Sequence, residues 1–417
     1  MSRITKQIIS DAIASRSYKQ PATSQKDARD LQISVDGMSF GLTTGNNTGG
    51  VSQNLYFDAD ASKVLLSFLK DLLKESKKLG REIETPIQSI FFGAPGTGKS
   101  FKIDDPEKGY GLKDVDESRK FRTTFHPDYD YAQFVGAYKP KKDGNAITYS
   151  FVPQVFAKAY AAAWKQYFAA GNVSTADNQV YLVIEEINRG NCAQIFGDIF
   201  QLLDRDSEGF SQYSIDADCD FAEWLKDNGV GDGKLKLPPN LNILATMNTS
   251  DQSLFPMDSA FKRRFDWEYV PINYKMPKAD FKVGEGDLNF DWLHFLKKVN
   301  ADIRTVTESE DKQMGEFFIK PKDNDPITLE EFRSKVLFYL WDTVYKDEID
   351  KKNLFHIPYP EKGPSITFQR LFEEDEAGKI SDNSKKIIRK MLETLDAAYD
   401  SEEYKDFKIF PIPSETN

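Results

Sequence analysis

Cysteine is scarce in this chain: Cys192 and Cys219 are its two representatives in 417 residues, and they form no C-x-x-C pair. A disulfide framework and a cysteine-built zinc site are thereby excluded, and the usage fits a reducing cytoplasm. Histidine is nearly as rare. His126, His294 and His356 stand apart, with no acidic or nucleophilic partner at a defined spacing, so no histidine-centred triad is supported. No run of roughly 18 apolar residues occurs, which leaves no candidate for a membrane-crossing helix. Near the start Ile4, Ile8, Ile9 and Ile13 follow helical spacing, but Lys6 and Asp11 interrupt them and no signal-peptide core is formed. Positive charge is also in deficit: 55 Lys and Arg against 66 Asp and Glu leave a net charge of -11. Non-specific DNA affinity comes from cations that displace phosphate counterions, so the surface as a whole is not built for bare DNA. A local basic stripe could still meet it.

What is present is ordinary for a folded chain, with 40% hydrophobic and 29% charged residues and 31 Phe and 18 Tyr to fill a core. The length exceeds what one core sustains and implies two or three units. Residues 1–84 read as an N-terminal region, with an amphipathic helix over about residues 1–18, a Ser/Thr/Gly/Asn-rich linker or small irregular domain from Gln20 to Gln53, and a helical stripe from Ala61 to Lys78. Five apolar runs then alternate with helical or turn-rich segments: Ile87 to Phe92, Phe121 to Phe125, Val180 to Ile184, Leu241 to Thr246 and Trp267 to Ile272. Buried strands separated by helices imply an α/β core with a parallel sheet, over residues 85–275. Residues 276–417 read as a helical lid with a C-terminal extension, carrying helices at Phe290 to Val306, Leu329 to Tyr345 and Ser384 to Tyr399. Trp164, Tyr167 and Phe168 follow helical spacing and are expected to pack in a core. The acidic stretch Asp216 to Asp220 and the glycines from Gly229 to Gly233 read as an insertion loop.

The segment Gly93-Ala94-Pro95-Gly96-Thr97-Gly98-Lys99-Ser100 matches G-x-x-x-x-G-K-[ST] at every position and follows an apolar strand. Its glycines let successive N–H groups turn inward around phosphates, Lys99 reaches the β and γ oxygens, and the Ser100 hydroxyl can ligate Mg²⁺. The helix after Ser100 must be short, because Asp104, Asp105, Pro106, Gly109 and Gly111 follow. A second strand, Val180 to Ile184, runs into Glu185 and Glu186. Glu185 suits the metal shell and Glu186 the positioning or deprotonation of an attacking water. Asn248, at the end of a third strand, suits a polar sensor of the γ-phosphate. Lys262-Arg263-Arg264 closes a short helix. Either a solvated helix end complementing the dipole, or an arginine reaching a neighbouring subunit's γ-phosphate, accounts for it, and the latter requires an oligomer.

Together the phosphate loop, Glu185-Glu186-Ile187-Asn188-Arg189-Gly190-Asn191, Met247-Asn248-Thr249-Ser250-Asp251-Gln252-Ser253 and Phe261-Lys262-Arg263-Arg264-Phe265 resemble the McrB-like AAA+ GTPases, motor subunits of McrBC-type modification-dependent restriction systems. The segment Thr124 to Tyr131 and the lid string Gln313-Met314-Gly315 share that resemblance, which covers roughly residues 85–345. It implies an AAA+ core with a helical lid, a hexameric ring, GTP rather than ATP, Mg²⁺, and a separate McrC-like nuclease subunit through which DNA is met. It further implies that Asn188 and Arg189 lie at the subunit interface, with Arg189 a second arginine acting in trans, and that Asp251 lies near the nucleotide. Glu185 stands where the pattern has Asp, and Gln252 where it has Arg. The stretch before the core does not resemble the family's base-flipping reader, and no nuclease constellation is evident.

Two other functions are compatible with the same core. A MoxR-like ATPase that remodels protein complexes would prefer ATP. A nucleotide-gated scaffold would assemble on binding and hydrolyse little.

Overall fold

The computed structural model describes residues 84–410 apart from 108, 144–145, 232, 252–254, 256, 323–325, 349–350 and 359–364, together with an antiparallel hairpin, β1 (Leu31–Val35) and β2 (Met38–Leu42). The helices expected over residues 1–18 and 61–78 lie outside the described residues. Packing divides the chain into two compact units, one of residues 86–163 with 180–417, the other of residues 1–85 with 164–179. Core and lid thus share one unit. Among the described residues no helix is long and apolar enough to cross a membrane.

The larger unit is built on a five-stranded parallel sheet of β3 (Gln88–Gly93), β4 (Lys120–Thr124), β7 (Val180–Glu185), β10 (Leu241–Asn248) and β11 (Asp266–Tyr269), in the order β11-β3-β10-β7-β4. The expected strands are all present, their bounds differing by up to three residues. Central position explains their composition. β10 is buried from Leu241 to Met247 and only Asn248 emerges, as a strand covered on both faces requires. Phe91, Val183 and Leu244 pack with Ile103, Leu112 and Val270 against one sheet face. Burying each such side chain contributes roughly 1.5–3 kcal/mol.

Helix α1 (Lys99–Asp104) follows β3 and stops before Pro106, since the residue preceding a proline is driven to extended backbone; Asp105 has ψ 120. After β4 come a single turn α2 (Tyr131–Phe134), a hairpin of β5 (Gly136–Asp143) and β6 (Ala146–Pro153), and helix α3 (Val155–Ala169). The hairpin has no counterpart in the sequence expectations. Its strands alternate and carry Gly and Pro, which weakens any apolar-run signal. On α3, Trp164 meets Tyr167 edge-on and Phe168 at a tilt, but Phe168 is 46% exposed, so packing claims only part of that stripe.

Beyond β7 lie α4 (Cys192–Phe196), a short antiparallel pair β8 (Ile215–Asp216) and β9 (Lys234–Leu235), and between them α5 (Cys219–Asp227), N-capped by Asp218. The expected insertion loop is therefore ordered in large part. Its acids begin a helix, where they satisfy and complement the exposed N–H groups. Helix α6 (Ser259–Lys262), capped by Asp258, precedes β11.

The lid opens with the hairpin β12 (Lys282–Glu285) and β13 (Leu288–Asp291), continues into α7 (Trp292–Thr307) and α8 (Leu329–Glu331), and closes with α9 (Phe368–Leu371) and α10 (Asp382–Ala398). Trp292, Phe295, Leu296, Val299 and Ile303 of α7 face Phe332, Val336 and Leu340 and the α10 residues Ile387, Ile388, Met391 and Leu395 in one core. The helix expected from Leu329 to Tyr345 is wound as π-helix over Phe332–Leu337 and Leu340–Val344. That wider winding keeps residues four apart nearer one face, and Phe332, Val336, Leu340 and Val344 are all buried.

Candidate active site

The ends of three adjacent strands converge. Asn248 on β10 is in register with Gly93 on β3, and β10 lies between β3 and β7, so the phosphate loop, Asn248 and the carboxylate pair meet at the C-terminal edge of the sheet. In open parallel sheets that edge, where strand order reverses, is the place for ligands.

Within the loop, Gly96 and Gly98 adopt the left-handed backbone at φ 84 and 82. Lys99 is buried, and its Nζ donates to the carbonyls of Gly93 and Ala94 at 3.1 and 2.8 Å. Thr97 Oγ1 donates to Ala94 O at 3.1 Å, fastening the turn. Ser100 is exposed, and its Oγ donates to Glu185 Oε2 at 2.9 Å.

The same Glu185 oxygen accepts from Thr246 Oγ1 at 2.5 Å. Its other oxygen accepts from Arg122 Nη1 at 3.0 Å, and Arg122 Nη2 reaches Asp104 Oδ1 at 2.5 Å. Sequence reasoning missed both neighbours. Thr246 sits two residues before Asn248 inside an apolar run, where a hydroxyl was a detectable signal. Arg122 lies on β4, and nothing local marked it as a carboxylate partner.

Glu186 leaves β7 in left-handed backbone at φ 54, ψ 47, uncommon for a residue with a side chain. The bend turns its carboxylate to Asn248, whose Nδ2 donates to Oε1 at 2.6 Å, while Glu186 N donates to Thr246 Oγ1 at 3.2 Å. The turn is held from below. Cys192 Sγ donates to Ile187 O at 3.2 Å, and burial pushes that thiol up to about 12, which leaves it inert as a nucleophile.

Asn188 is buried, and its Nδ2 donates to Asn248 O at 3.0 Å. The resemblance implied a subunit-interface position for it. Here it braces Asn248 within its own chain. Arg189 beside it is exposed. The two arginines after α6 part company. Arg264 is held inside the chain, with Nη1 donating to Ala260 O at 2.9 Å, Nη2 to Asp204 Oδ2 at 2.7 Å, and the guanidinium 3.9 Å from the Phe200 ring centroid. Its side chain is 9% exposed, whereas Arg263 projects into solvent. Asp251 lies in the turn Thr249–Asp251, and Gln252 is outside the described residues.

The lid touches the loop directly, through the string Gln313-Met314-Gly315. Gly315 N donates to Pro95 O and Phe317 N to Gly96 O, both at 2.8 Å. On the lid side Asn300 grips the same segment, accepting from Met314 N at 2.9 Å and donating to Met314 O at 2.8 Å, and Trp292 Nε1 donates to Glu316 O at 2.8 Å. The approach tolerates no side chain. A Cβ on Gly96 would stand 2.5 Å from Phe318 N, and one on Gly315 2.3 Å from Gly96 C. Next to this seam opens a cavity of about 1330 Å³ lined by Gly98, Phe101, Lys278, Phe281, Glu316 and Phe317 among others. Burial pushes the Glu316 carboxyl above its ordinary range.

Among the described residues no group of three His, Cys, Asp or Glu side chains is placed to hold a metal. The oxygen set of Ser100, Thr246 and Glu185 nevertheless suits Mg²⁺, which takes one or two protein oxygens and completes its shell from phosphates and water.

A glycine-rich loop closing β3, paired acids closing the second neighbouring strand, an asparagine between them and a helical lid on the loop define a P-loop nucleoside triphosphatase of the AAA+ class. Residues 88–265 match the AAA domain (dynein-related subfamily). The "Type II restriction enzyme BsuMI component YdiS" of Bacillus subtilis (strain 168) is 35% identical over 318 residues, spanning 69% of this chain and 85% of its own. The "Type IV methyl-directed restriction enzyme EcoKMcrB subunit" of Escherichia coli (strain K12) is 28% identical over 196 residues, 45% of this chain and 36% of its own. A solved structure from Cytophaga hutchinsonii has 13% identity and a TM-score of 0.27 over 49% of this chain and 46% of its own, too low to inform the fold. The chain belongs to the McrB-like AAA+ family.

Proposed function

We propose that the chain is the nucleotide-hydrolysing motor of a restriction complex, working as a ring, with DNA cut by a separate McrC-like nuclease subunit.

 

The observation that carries this is the convergence of Glu186 and Asn248, joined at 2.6 Å, on the loop that ends in Lys99 and Ser100, in a chain whose relatives are named as restriction components. Loop amides and Lys99 would bind the β and γ phosphates. Ser100 and Glu185 would hold Mg²⁺, which supplies charge neutralisation at those phosphates when bound. Glu186 would orient the attacking water and take its proton as the bond from water oxygen to the γ-phosphorus forms and the bridging P–O bond breaks. Asn248 would fix that carboxylate and reach the γ-phosphate. Arg263 or Arg189, both exposed, would serve the neighbouring subunit's site in a hexameric ring. Arg264 is withdrawn from that role because its guanidinium is tied to Asp204.

The cavity beside Phe101 and Phe317 is the place for the base, and the family resemblance favours GTP over ATP there. Hydrolysis and binding of the two nucleotides test the whole reading. Lys99→Ala should abolish binding, and Glu186→Gln should bind GTP yet fail to turn it over. Full turnover by Glu186→Gln would sink the catalytic assignment, and equal competition by ATP would sink the base preference.

A further inference from the structure

Arg122 takes no part in the chemistry assigned above, yet it holds the side chain assigned to the metal. β4 pairs with β7 in parallel register, with Arg122 beside Val183 and Thr124 beside Glu185. Val183 and Glu185 stand two residues apart on one strand, so they share the sheet face to which Arg122 also points, the face on which Ile103 of α1 packs against Val183. An arginine there is long enough to pass Val183 and reach the strand's end. Its Nη1 donates to Glu185 Oε1 at 3.0 Å and its Nη2 to Asp104 Oδ1 at 2.5 Å. One guanidinium thus ties the end of α1 to the end of β7.

The two oxygens of Glu185 keep different company. Oε2 accepts from Ser100 Oγ at 2.9 Å and from Thr246 Oγ1 at 2.5 Å, whereas Oε1 faces Arg122. Glutamate has one more rotatable bond than the aspartate of the usual pattern, and Mg²⁺ demands strict geometry, so that added freedom has to be removed. A carboxylate held at one oxygen still swings; a donor on the other stops it. Charge alone argues the opposite way, because a cation beside a metal site repels the metal. Here Asp104 offsets that repulsion, since the guanidinium lies between two carboxylates, and the orienting hydrogen bond is left as the larger effect. We propose that Arg122 is a positioning residue for the divalent cation, pinning Glu185 Oε1 so that Oε2 stays beside the Ser100 hydroxyl. The inference rests on the reading of this site as a Mg²⁺-dependent nucleoside triphosphatase and adds to it the residue that lets glutamate serve in an aspartate's place.

The test uses the full chain, Mn²⁺ as a paramagnetic stand-in for Mg²⁺, and a slowly hydrolysed analogue of GTP or ATP, whichever the wild type binds more tightly. Electron paramagnetic resonance of free Mn²⁺ reads metal binding to the nucleotide-loaded protein without any turnover. Arg122→Ala should weaken Mn²⁺ by about tenfold to 100-fold, as loss of a side chain that orients a metal ligand does. Nucleotide affinity measured in EDTA should stay at the wild-type value, which a merely structural role for Arg122 would not allow. Arg122→Lys keeps the charge but lacks the fork that spans both carboxylates, so it should recover only part of the metal affinity, and it carries the test if the alanine variant fails to melt cooperatively. Wild-type or tighter Mn²⁺ binding in Arg122→Ala overturns the inference and leaves the reading of the site intact. Full recovery in Arg122→Lys also overturns it, by assigning the effect to charge. A wild type that binds neither nucleotide would overturn the reading of the site, and this inference with it.

Discussion

Replacing Gly315 with alanine separates the lid's grip on the phosphate loop from everything else the lid does. Gly315 does not occupy left-handed backbone, so its own conformation accepts a Cβ. The obstacle is the loop. The added carbon would stand 2.3 Å from Gly96 C, 2.4 Å from Thr97 N and 2.5 Å from Gly96 O, all main-chain atoms that cannot rotate aside. Lid and loop must therefore separate, and the hydrogen bonds from Gly315 N to Pro95 O and from Phe317 N to Gly96 O, both 2.8 Å, lengthen together. At roughly 0.5–1.5 kcal/mol net for each, the loss is about 1–3 kcal/mol. If the lid holds the loop in its phosphate-binding shape, that cost appears as a Kd for nucleoside triphosphate weaker by about fivefold to 150-fold. Titration calorimetry with Mg²⁺ present reads it, and a scan of the apo protein should still show cooperative melting, since Trp292, Phe295 and Phe332 keep the lid core. Wild-type affinity in Gly315→Ala would refute the coupling.

Three further outcomes follow from the site and the lid. Arg264→Ala should cost about 2 kcal/mol of stability through its charged hydrogen bond to Asp204, seen as a lower Tm. Arg263→Ala should leave Tm unchanged and lower turnover about a thousandfold, and mixing it with Glu186→Gln should restore part of the turnover if the arginine acts in trans. Asp302, buried in the lid and accepting from Tyr345 at 2.5 Å, has its carboxyl pushed above the ordinary range, first by burial. The folded state then holds a proton that the unfolded state has released, so this group costs stability as pH rises through its folded pKa. Asp302→Asn should raise Tm at pH near neutrality, and the gain should shrink as pH falls below that pKa; a gain independent of pH would exclude the carboxylate as its cause.

The parallel sheet was legible because its strands are buried on both faces, so Val180 to Ile184 and Leu241 to Thr246 read as continuous apolar runs. The loop was legible for a different reason. Binding phosphate through backbone amides demands glycines at set positions, and that demand is written in the residues themselves. What stayed hidden depended on distance in sequence. Arg122 meets Glu185 across two strands, Gly315 meets Gly96 from another layer, and Arg264 is claimed by Asp204, contacts that no local spacing encodes. The β5–β6 hairpin escaped because its face is exposed, and burial is what makes a strand stand out in a sequence.

The left-handed backbone of Glu186 has a consequence for the molecule's history as well as its chemistry. Holding a carboxylate residue at φ 54 costs on the order of 1–3 kcal/mol, which glycine at that position would recover. The most direct local route to a hardier protein therefore removes the very group assigned to hydrolysis. A screen that rewards heat resistance alone would drift toward silent variants, and only selection on turnover at the same time would keep glutamate in its awkward seat.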